Sequence, residues 1–312
     1  MQKYNIHKDF KALTRLNMKL SSMADINARR LISKITTLPV HITKDLKIYS
    51  ESIKGYKNHD LKVDVFDPWE REDKLPCIIF YHGGGFMLGL NEAHYRYASE
   101  YARGVSAVVI MPDYRLAPED PFPFGVEDCY STLLWAYENA DRLGIDQNKI
   151  AVVGESAGGN LSAAVSLMAR DRNGPKLKCQ VLIYPTTDDE HKTESARNFT
   201  DTPMFYSEAN KFMWKQYLSE WLGRVSPYAA PMRAESLKNL PPAYVETAEF
   251  DPLHDEGIAY AKRMKEDGVE VVIHETKGTV HGYDVIKRSD ITKDSLEKRL
   301  VFLKWKLQLE DN

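Results

Sequence analysis

The segment Ile150-Ala-Val-Val-Gly-Glu-Ser-Ala-Gly-Gly-Asn-Leu-Ser-Ala-Ala-Val-Ser-Leu-Met-Ala-Arg170 constrains the fold more than any other stretch of the chain. A short apolar run stops at Gly154, Ser156 follows two residues later, and an alanine-rich amphipathic segment begins at once. Glycine loses more backbone entropy on folding than any other residue, so it is placed where a side chain cannot fit or where φ must be positive. Gly154, Gly158 and Gly159 around one hydroxyl describe a strand that turns sharply and leaves as a helix. Gly154-Glu155-Ser156-Ala157-Gly158 is a G-x-S-x-G sequence in the strand–turn–helix setting that a nucleophile elbow requires.

The rest of the chain supplies a matching scaffold. Leu46–Ile53 and Leu61–Phe66 read as an antiparallel pair separated by the turn-like Gly55-Tyr-Lys-Asn-His. Beyond them, apolar runs at Cys77–Tyr81, Ala107–Met111, Ile150–Val153, Val181–Tyr184, Ala243–Thr247 and Val269–His274 alternate with helical patterns near 92–104, 124–141, 157–171, 253–267 and 290–309. That alternation predicts an α/β fold with a mostly parallel central sheet flanked by helices. Residues 8–38 read as helical, with Phe10, Leu13, Leu16, Leu20, Met23, Ile26, Leu31 and Ile35 at helical intervals before Pro39. Residues 188–228 interrupt the alternation with Phe199, Met204, Phe205, Phe212, Met213, Trp214, Tyr217, Trp221 and Leu222. The expected organisation is an N-terminal helical cap segment over 1–44 and a catalytic domain over 45–312, with a cap insertion at about 188–228.

An activated serine needs a base, a carboxylate to orient that base, and N–H donors for the oxyanion that develops on the attacked carbonyl. Candidates follow Ser156 in order: Asp251, between a strand and a helix that opens with proline, and His281, on a loop after the last strand. Upstream, Tyr81-His82-Gly83-Gly84-Gly85-Phe86 ends a strand, and its consecutive glycines leave backbone N–H groups open to an approaching oxygen.

Five stretches, His82-Gly-Gly-Gly-Phe86, Asp113-Tyr-Arg-Leu-Ala-Pro-Glu119, Gly154-Glu-Ser-Ala-Gly-Gly159, Asp251-Pro-Leu-His-Asp-Glu-Gly257 and His281-Gly-Tyr283, resemble the hormone-sensitive lipase family of α/β-hydrolase esterases. The resemblance runs from about residue 45 to the C-terminus. It implies Ser156 as nucleophile, His281 as general base and acid, and Asp251 as its orienting partner. It implies Gly84, Gly85 and Ala157 as backbone oxyanion donors, with His82, Gly83, Gly154 and Gly158 supporting them. Glu155 stands where that family commonly has aspartate, and Tyr283 where it commonly has phenylalanine. The implied activity is a serine carboxylesterase acting on short-chain acyl or acetyl esters through an acyl-enzyme. Amide cleavage by a formamidase or deacetylase with the same triad is the alternative, and a non-catalytic receptor is disfavoured by the presence of His281.

Other polar residues have plainer readings. His82 is read as orienting the glycine loop, Asp255 and Glu256 as surface or helix-start residues, and Glu249 as a less loop-like rival to Asp251. Asp113, Arg115 and Glu119 are read as one charged network beneath the strand exit, and Thr186 to Asp189 as a polar turn bordering the pocket. His191, His254 and His274 lack partners at ligand spacing, so neither a metal nor an organic cofactor is expected. A net charge of −3 points away from nucleic acid, and three cysteines in apolar stretches point to free thiols in a reducing compartment. With no apolar leader or membrane-length run, the expectation is a soluble, cytoplasmic protein acting on a small-molecule ester, without membrane insertion and with a homodimer left open.

Overall fold

The computed structural model describes residues 3–15, 21–36, 45–68, 73–219 and 224–308. Among them eight strands form one sheet: β1 (Leu46–Lys54), β2 (Asp60–Pro68), β3 (Leu75–Tyr81), β4 (Val108–Pro112), β5 (Ile145–Glu155), β6 (Cys179–Ile183), β7 (Ala243–Phe250) and β8 (Val271–Val280). The spatial order is β1-β2-β4-β3-β5-β6-β7-β8. β1 and β2 pair antiparallel in the register Ile48↔Phe66, β2 pairs antiparallel with β4, and from β4 to β8 every pairing is parallel.

The helices are α1 (Met23–Thr36), α2 (Glu92–Val105), α3 (Phe124–Glu138), α4 (Ala140–Leu143), α5 (Ala157–Asp171), α6 (Glu194–Asn198), α7 (Ser207–Leu218), α8 (His254–Glu266) and α9 (Asp290–Gln308). Successive side chains of a strand point to opposite faces, and the central strands split their apolar residues accordingly. Cys77, Ile79, Val108, Ile110, Ile150 and Val152 pack with Leu133 of α3 and Leu161 of α5. Ile78, Phe80, Val109, Met111, Ala151 and Val153 pack with Tyr101 of α2 and Leu303 of α9. Both faces are therefore covered, which is why these strands read as continuous apolar runs with no polar alternation. The chain steps from β3 outward to β4 and then back across β3 to β5. Such a reversal opens a crevice at the carboxyl ends of the two strands, where open parallel sheets bind their ligands. The glycine loop leaves β3 there, and Ser156 leaves β5.

The N-terminal segment is less helical than its periodicity predicts. Lys8–Phe10 and Leu13–Arg15 are separate 3-10 turns, and the helix proper starts at Met23. Phe10 is buried edge-on against Tyr283, with ring centroids 5.6 Å apart, so this part of the chain is shaped by docking and not by its own periodicity. Ser22 starts the helix by accepting from the Asp25 N–H at 3.2 Å, while the Asp25 carboxylate accepts from the Ser22 hydroxyl at 2.8 Å. Leu31, expected on the apolar face, is 59% exposed, as is Ile32; Leu16 and Leu20 lie outside the described residues. In the 188–228 stretch α6 and α7 form, and Trp221 and Leu222 lie outside the described residues. α7 buries Ala209, Met213, Trp214 and Tyr217, with Tyr217 stacked on Phe86 of the glycine loop at 3.7 Å. The two segments meet where Tyr4 packs edge-on against Phe199 and Lys3 pairs with Asp201 at 2.6 Å.

Candidate active site

Ser156 sits between β5 and α5 with φ 55° and ψ −117°, a conformation that a non-glycine residue adopts only when its surroundings hold it there. They do so by close backbone approach. A Cβ on Gly158 would collide with the Tyr81 carbonyl of β3, and one on Gly154 with the Gly158 carbonyl. The Ser156 N–H donates to the Ile183 carbonyl at 2.8 Å, and its own carbonyl accepts from Asn160 at 3.1 Å as α5 begins. The hydroxyl is thereby presented at the positive end of a 15-residue helix.

The glycine loop after β3 is a tight turn in which the Gly84 carbonyl accepts from the N–H groups of Met87 at 3.1 Å and Leu88 at 2.9 Å. Gly84 has φ 117°, which no side-chain-bearing residue adopts readily. The N–H groups of Gly84, Gly85 and Ala157 donate to no backbone carbonyl among the described residues. His82 is fully buried and stacked on Tyr114 at 4.2 Å, and its Nδ1–H donates to the Gly83 carbonyl at 2.8 Å. Burial, with His94 close by, pushes His82 down to about 3, so it is a neutral brace of the loop.

Asp251 leaves β7 fully buried; one carboxylate oxygen accepts from the Leu253 N–H at 2.9 Å and the other lies 2.7 Å from His281 Nδ1. His281 follows β8 directly, and its Nε2 lies 2.9 Å from the Ser156 hydroxyl. Three residues separated by 125 positions in sequence thus form one continuous hydrogen-bonded chain. Tyr184 and Phe205 flank the imidazole, each with its ring centroid 4.8 Å away.

The rival acids are engaged elsewhere. Glu249 lies on β7 and accepts from the Gly278 N–H at 2.6 Å. Asp255 accepts from the Ser195 N–H at 2.8 Å. Glu256, expected at the surface or as a plain helix-start residue, is 1% exposed and accepts from the Thr187 N–H at 2.6 Å. Burial pushes its carboxyl well above the ordinary range. The 186–189 turn is thereby tied to α8 and does not line the pocket. Asp113, Arg115 and Glu119 do not form the single expected network. Arg115 pairs with Asp128 at 2.7 Å, Glu119 pairs with Arg30 of α1 at 2.7 Å, and the Asp113 N–H donates to the Lys62 carbonyl at 2.9 Å. The loop carries each of them toward a different neighbour. His191, His254 and His274 contact Asn210, Asp255 and Ser295 respectively. Among the described residues no cluster of histidine, cysteine and carboxylate could hold a metal, and no helix is long and apolar enough to cross a membrane. Cys77, Cys129 and Cys179 are free and buried, and burial pushes their thiols up.

A cavity of about 280 Å³ opens onto Ser156 and His281. Ile26 of α1, Met87 and Leu88 of the glycine loop, and Met204, Phe205 and Met213 of the 188–228 stretch form its apolar walls. Tyr184, Tyr97, His94 and Glu155 form a polar end that sequence reasoning did not identify. Glu155 Oε1 lies 3.0 Å from His94 Nε2, and nothing in local periodicity marks that pairing between α2 and the serine turn.

A three-layer α/β fold with an elbow serine at a strand-order reversal is the architecture of the α/β hydrolases. The family described by that fold matches residues 78–285. The chain belongs to it, within the esterases of the hormone-sensitive lipase type. Carboxylesterase NlhH of Mycobacterium tuberculosis is 38% identical over 263 residues, covering 82% of this chain and 81% of that protein. An arylesterase of Saccharolobus solfataricus is 38% identical over 248 residues, covering 78% of each. The solved structure of a bacterial heroin esterase superposes with a TM-score of 0.92 at 35% identity, covering 97% of this chain and 98% of that one.

Proposed function

We propose that the chain is a serine carboxylesterase that hydrolyses short-chain acyl or acetyl esters through an acyl-enzyme. The observation that carries this reading is the Ser156–His281–Asp251 chain at 2.9 and 2.7 Å, opening into a small apolar cavity. His281 Nε2 takes the hydroxyl proton as Ser156 Oγ attacks the ester carbonyl. Asp251 holds the imidazole with Nδ1–H directed at its carboxylate and stabilises the cation as it forms. The N–H groups of Gly84, Gly85 and Ala157 face the oxyanion, where preorganised donors contribute about 3–4 kcal/mol each when removed singly. His281 then returns the proton to the leaving alcohol, and water repeats the attack on the acyl-enzyme. A cavity of about 280 Å³ is at the small end of ligand sites and suits a short acyl chain.

N-terminal residues 1–44 and the 188–228 stretch form the cap in this reading, since Ile26, Met204, Phe205 and Met213 supply much of the cavity wall. The test is a panel of p-nitrophenyl esters from acetate to decanoate beside the matching anilides, combined with fluorophosphonate labelling. The expected result is a maximum at short chains, little anilide turnover and a single adduct on Ser156. A preference for anilides, or an adduct elsewhere, overturns the reading.

A further inference from the structure

Tyr184 is the first residue beyond β6, and its φ of 34° lies in the region that side-chain-bearing residues avoid. Such a conformation persists only where the surroundings over-determine it. Three contacts do so here. The Tyr184 N–H donates to the Glu246 carbonyl at 2.6 Å. Its hydroxyl donates to Asp284 Oδ1 at 2.7 Å and lies 3.2 Å from Glu155 Oε2. Its ring meets the His281 imidazole at a 62° interplanar angle, with centroids 4.8 Å apart.

Both anchors of that hydroxyl are themselves fixed. Asp284 Oδ2 accepts from Arg299 Nη1 at 3.0 Å, and Arg299, 2% exposed on α9, also pairs with Glu246 of β7. Removing a partner from a buried charge pair leaves an uncompensated charge, so this arrangement has few alternatives and is stiff. Glu155 immediately precedes Ser156, and its other oxygen faces His94 Nε2. The Nδ1 of His94 accepts from the Asn91 N–H at 3.0 Å, which holds the ring with Nε2 3.0 Å from Glu155 Oε1. A line of buried polar contacts therefore runs Arg299–Asp284–Tyr184–Glu155–His94, from α9 to α2, and meets His281 through the Tyr184 ring and the Ser156 turn through Glu155.

The bond to Asp251 restrains only the Nδ1 end of the His281 ring, leaving the imidazole free to swing about that end. Contacts on its flanks must set the swing that aims Nε2 at the serine oxygen. We propose that Tyr184 is a positioning residue that sets the tilt of His281 and steadies the turn carrying Ser156, by linking both to the buried Arg299–Asp284 pair. This rests on reading Ser156 and His281 as nucleophile and base. Misplacement of a reacting group by about 1 Å can cost on the order of 100-fold in rate, so a modest loss of tethering is measurable.

The experiment compares Tyr184→Phe, which keeps the ring and loses both hydroxyl contacts, with Tyr184→Leu, which loses the ring as well. Both are assayed on p-nitrophenyl acetate, with sites counted by fluorophosphonate titration. Tyr184→Phe is expected to lower kcat per titrated site about 5- to 20-fold with KM within about twofold, and Tyr184→Leu by about tenfold more. The rate of Ser156 phosphonylation should fall in parallel, because it draws on the same proton transfer. A role in folding alone lowers Tm and the titrated fraction but leaves kcat per site unchanged, and that result overturns the proposal. Should Tyr184→Leu not accumulate folded, Tyr184→Phe decides by the same readout. Wild-type protein that takes no label at Ser156 sinks the esterase reading instead, whereas normal wild-type labelling with unaltered Tyr184→Phe kinetics sinks only the role of Tyr184.

Discussion

The strand ends that carry Ser156 and the segments that cover them are built on different principles. Beneath the cavity, position is set by backbone against backbone: Gly158 against Tyr81, Gly154 against Gly158, the Ser156 N–H on Ile183. Above it, α1 is held through side chains, the Ser33 hydroxyl donating to the Leu90 carbonyl at 2.9 Å. Arg30 donates to the carbonyls of Met87 at 2.7 Å and Ala117 at 2.8 Å, and forks onto Glu119 at 2.7 and 2.9 Å. Ile26 is fully buried there, while Leu31 and Ile32 are each 59% exposed. Regions with few buried apolar contacts open locally at low free-energy cost, whereas core strands open only with the whole domain. In the proposed reading, chemistry belongs to the stiff half and substrate choice to the lightly held half.

The sharpest way to break that division is at the serine. Ser156→Ala is expected to lower kcat by about 10⁴- to 10⁶-fold without altering Tm by more than a few degrees, since the hydroxyl is proposed as the attacking group and not as packing. Near-normal turnover by that variant removes the chemistry from the strand ends altogether. Asp251→Asn is expected to be milder, at about 10²- to 10⁴-fold, because the proposed acid would orient the base without touching substrate. Glu249→Gln should stay within a few-fold; a severe Glu249→Gln beside a silent Asp251→Asn reverses the choice of acid. Gly158→Ala tests stiffness directly. A Cβ there meets backbone that cannot retreat, so about 3 kcal/mol or more of stability, or the soluble protein itself, should be lost in a denaturant titration.

The covering half should respond in selectivity. Deleting residues 1–36 removes Ile26 from the cavity wall and should change the ratio of acetate to octanoate ester turnover by about tenfold, with poorer solubility as the apolar surface beneath is uncovered. An unchanged ratio in a stable, soluble product makes the segment a dispensable tail. The smallest effect belongs to the Arg30–Glu119 pair. The Arg30 hydrogen bond holds the Glu119 carboxyl below its ordinary range. A depressed folded-state value contributes stability that is complete above the unfolded carboxylate range near pH ~4.3 and is lost as pH falls through the folded value. Glu119 is largely solvent-exposed, so Glu119→Gln should cost under about 1 kcal/mol. It should also flatten the acid-side loss of protection in α1 measured by hydrogen exchange.

Much of the stiff half was legible in the chain because its signals are local and ordered. An apolar run, three glycines and a helix mark the serine turn; Asp251-Pro and His281-Gly follow strands in the order that nucleophile, acid and base take. The covering half was read less well. Periodicity over residues 8–38 predicted one helix, yet Phe10 and Leu13 are buried from 3-10 turns, because docking against Tyr283 and its neighbours outweighs the helical pattern. The chain behind the site was not legible at all. Arg299 sits in an amphipathic segment where a charge ordinarily faces water, and nothing nearby in sequence announces Glu246 or Asp284 as partners.

What the sequence by itself determined is therefore the alternating α/β scaffold, the serine turn, and the order in which the proposed Ser156, Asp251 and His281 follow their strands, since strand period, glycine placement and turn chemistry act over a few residues. Only the tertiary structure decided which of several nearby carboxylates faces His281, which residues wall the cavity, and that Tyr184 joins the imidazole to a buried arginine. Those outcomes depend on contacts between segments far apart in sequence, such as Tyr184 with Asp284, which stand 100 residues apart. Burial, and not local pattern, sets which polar groups must find one another.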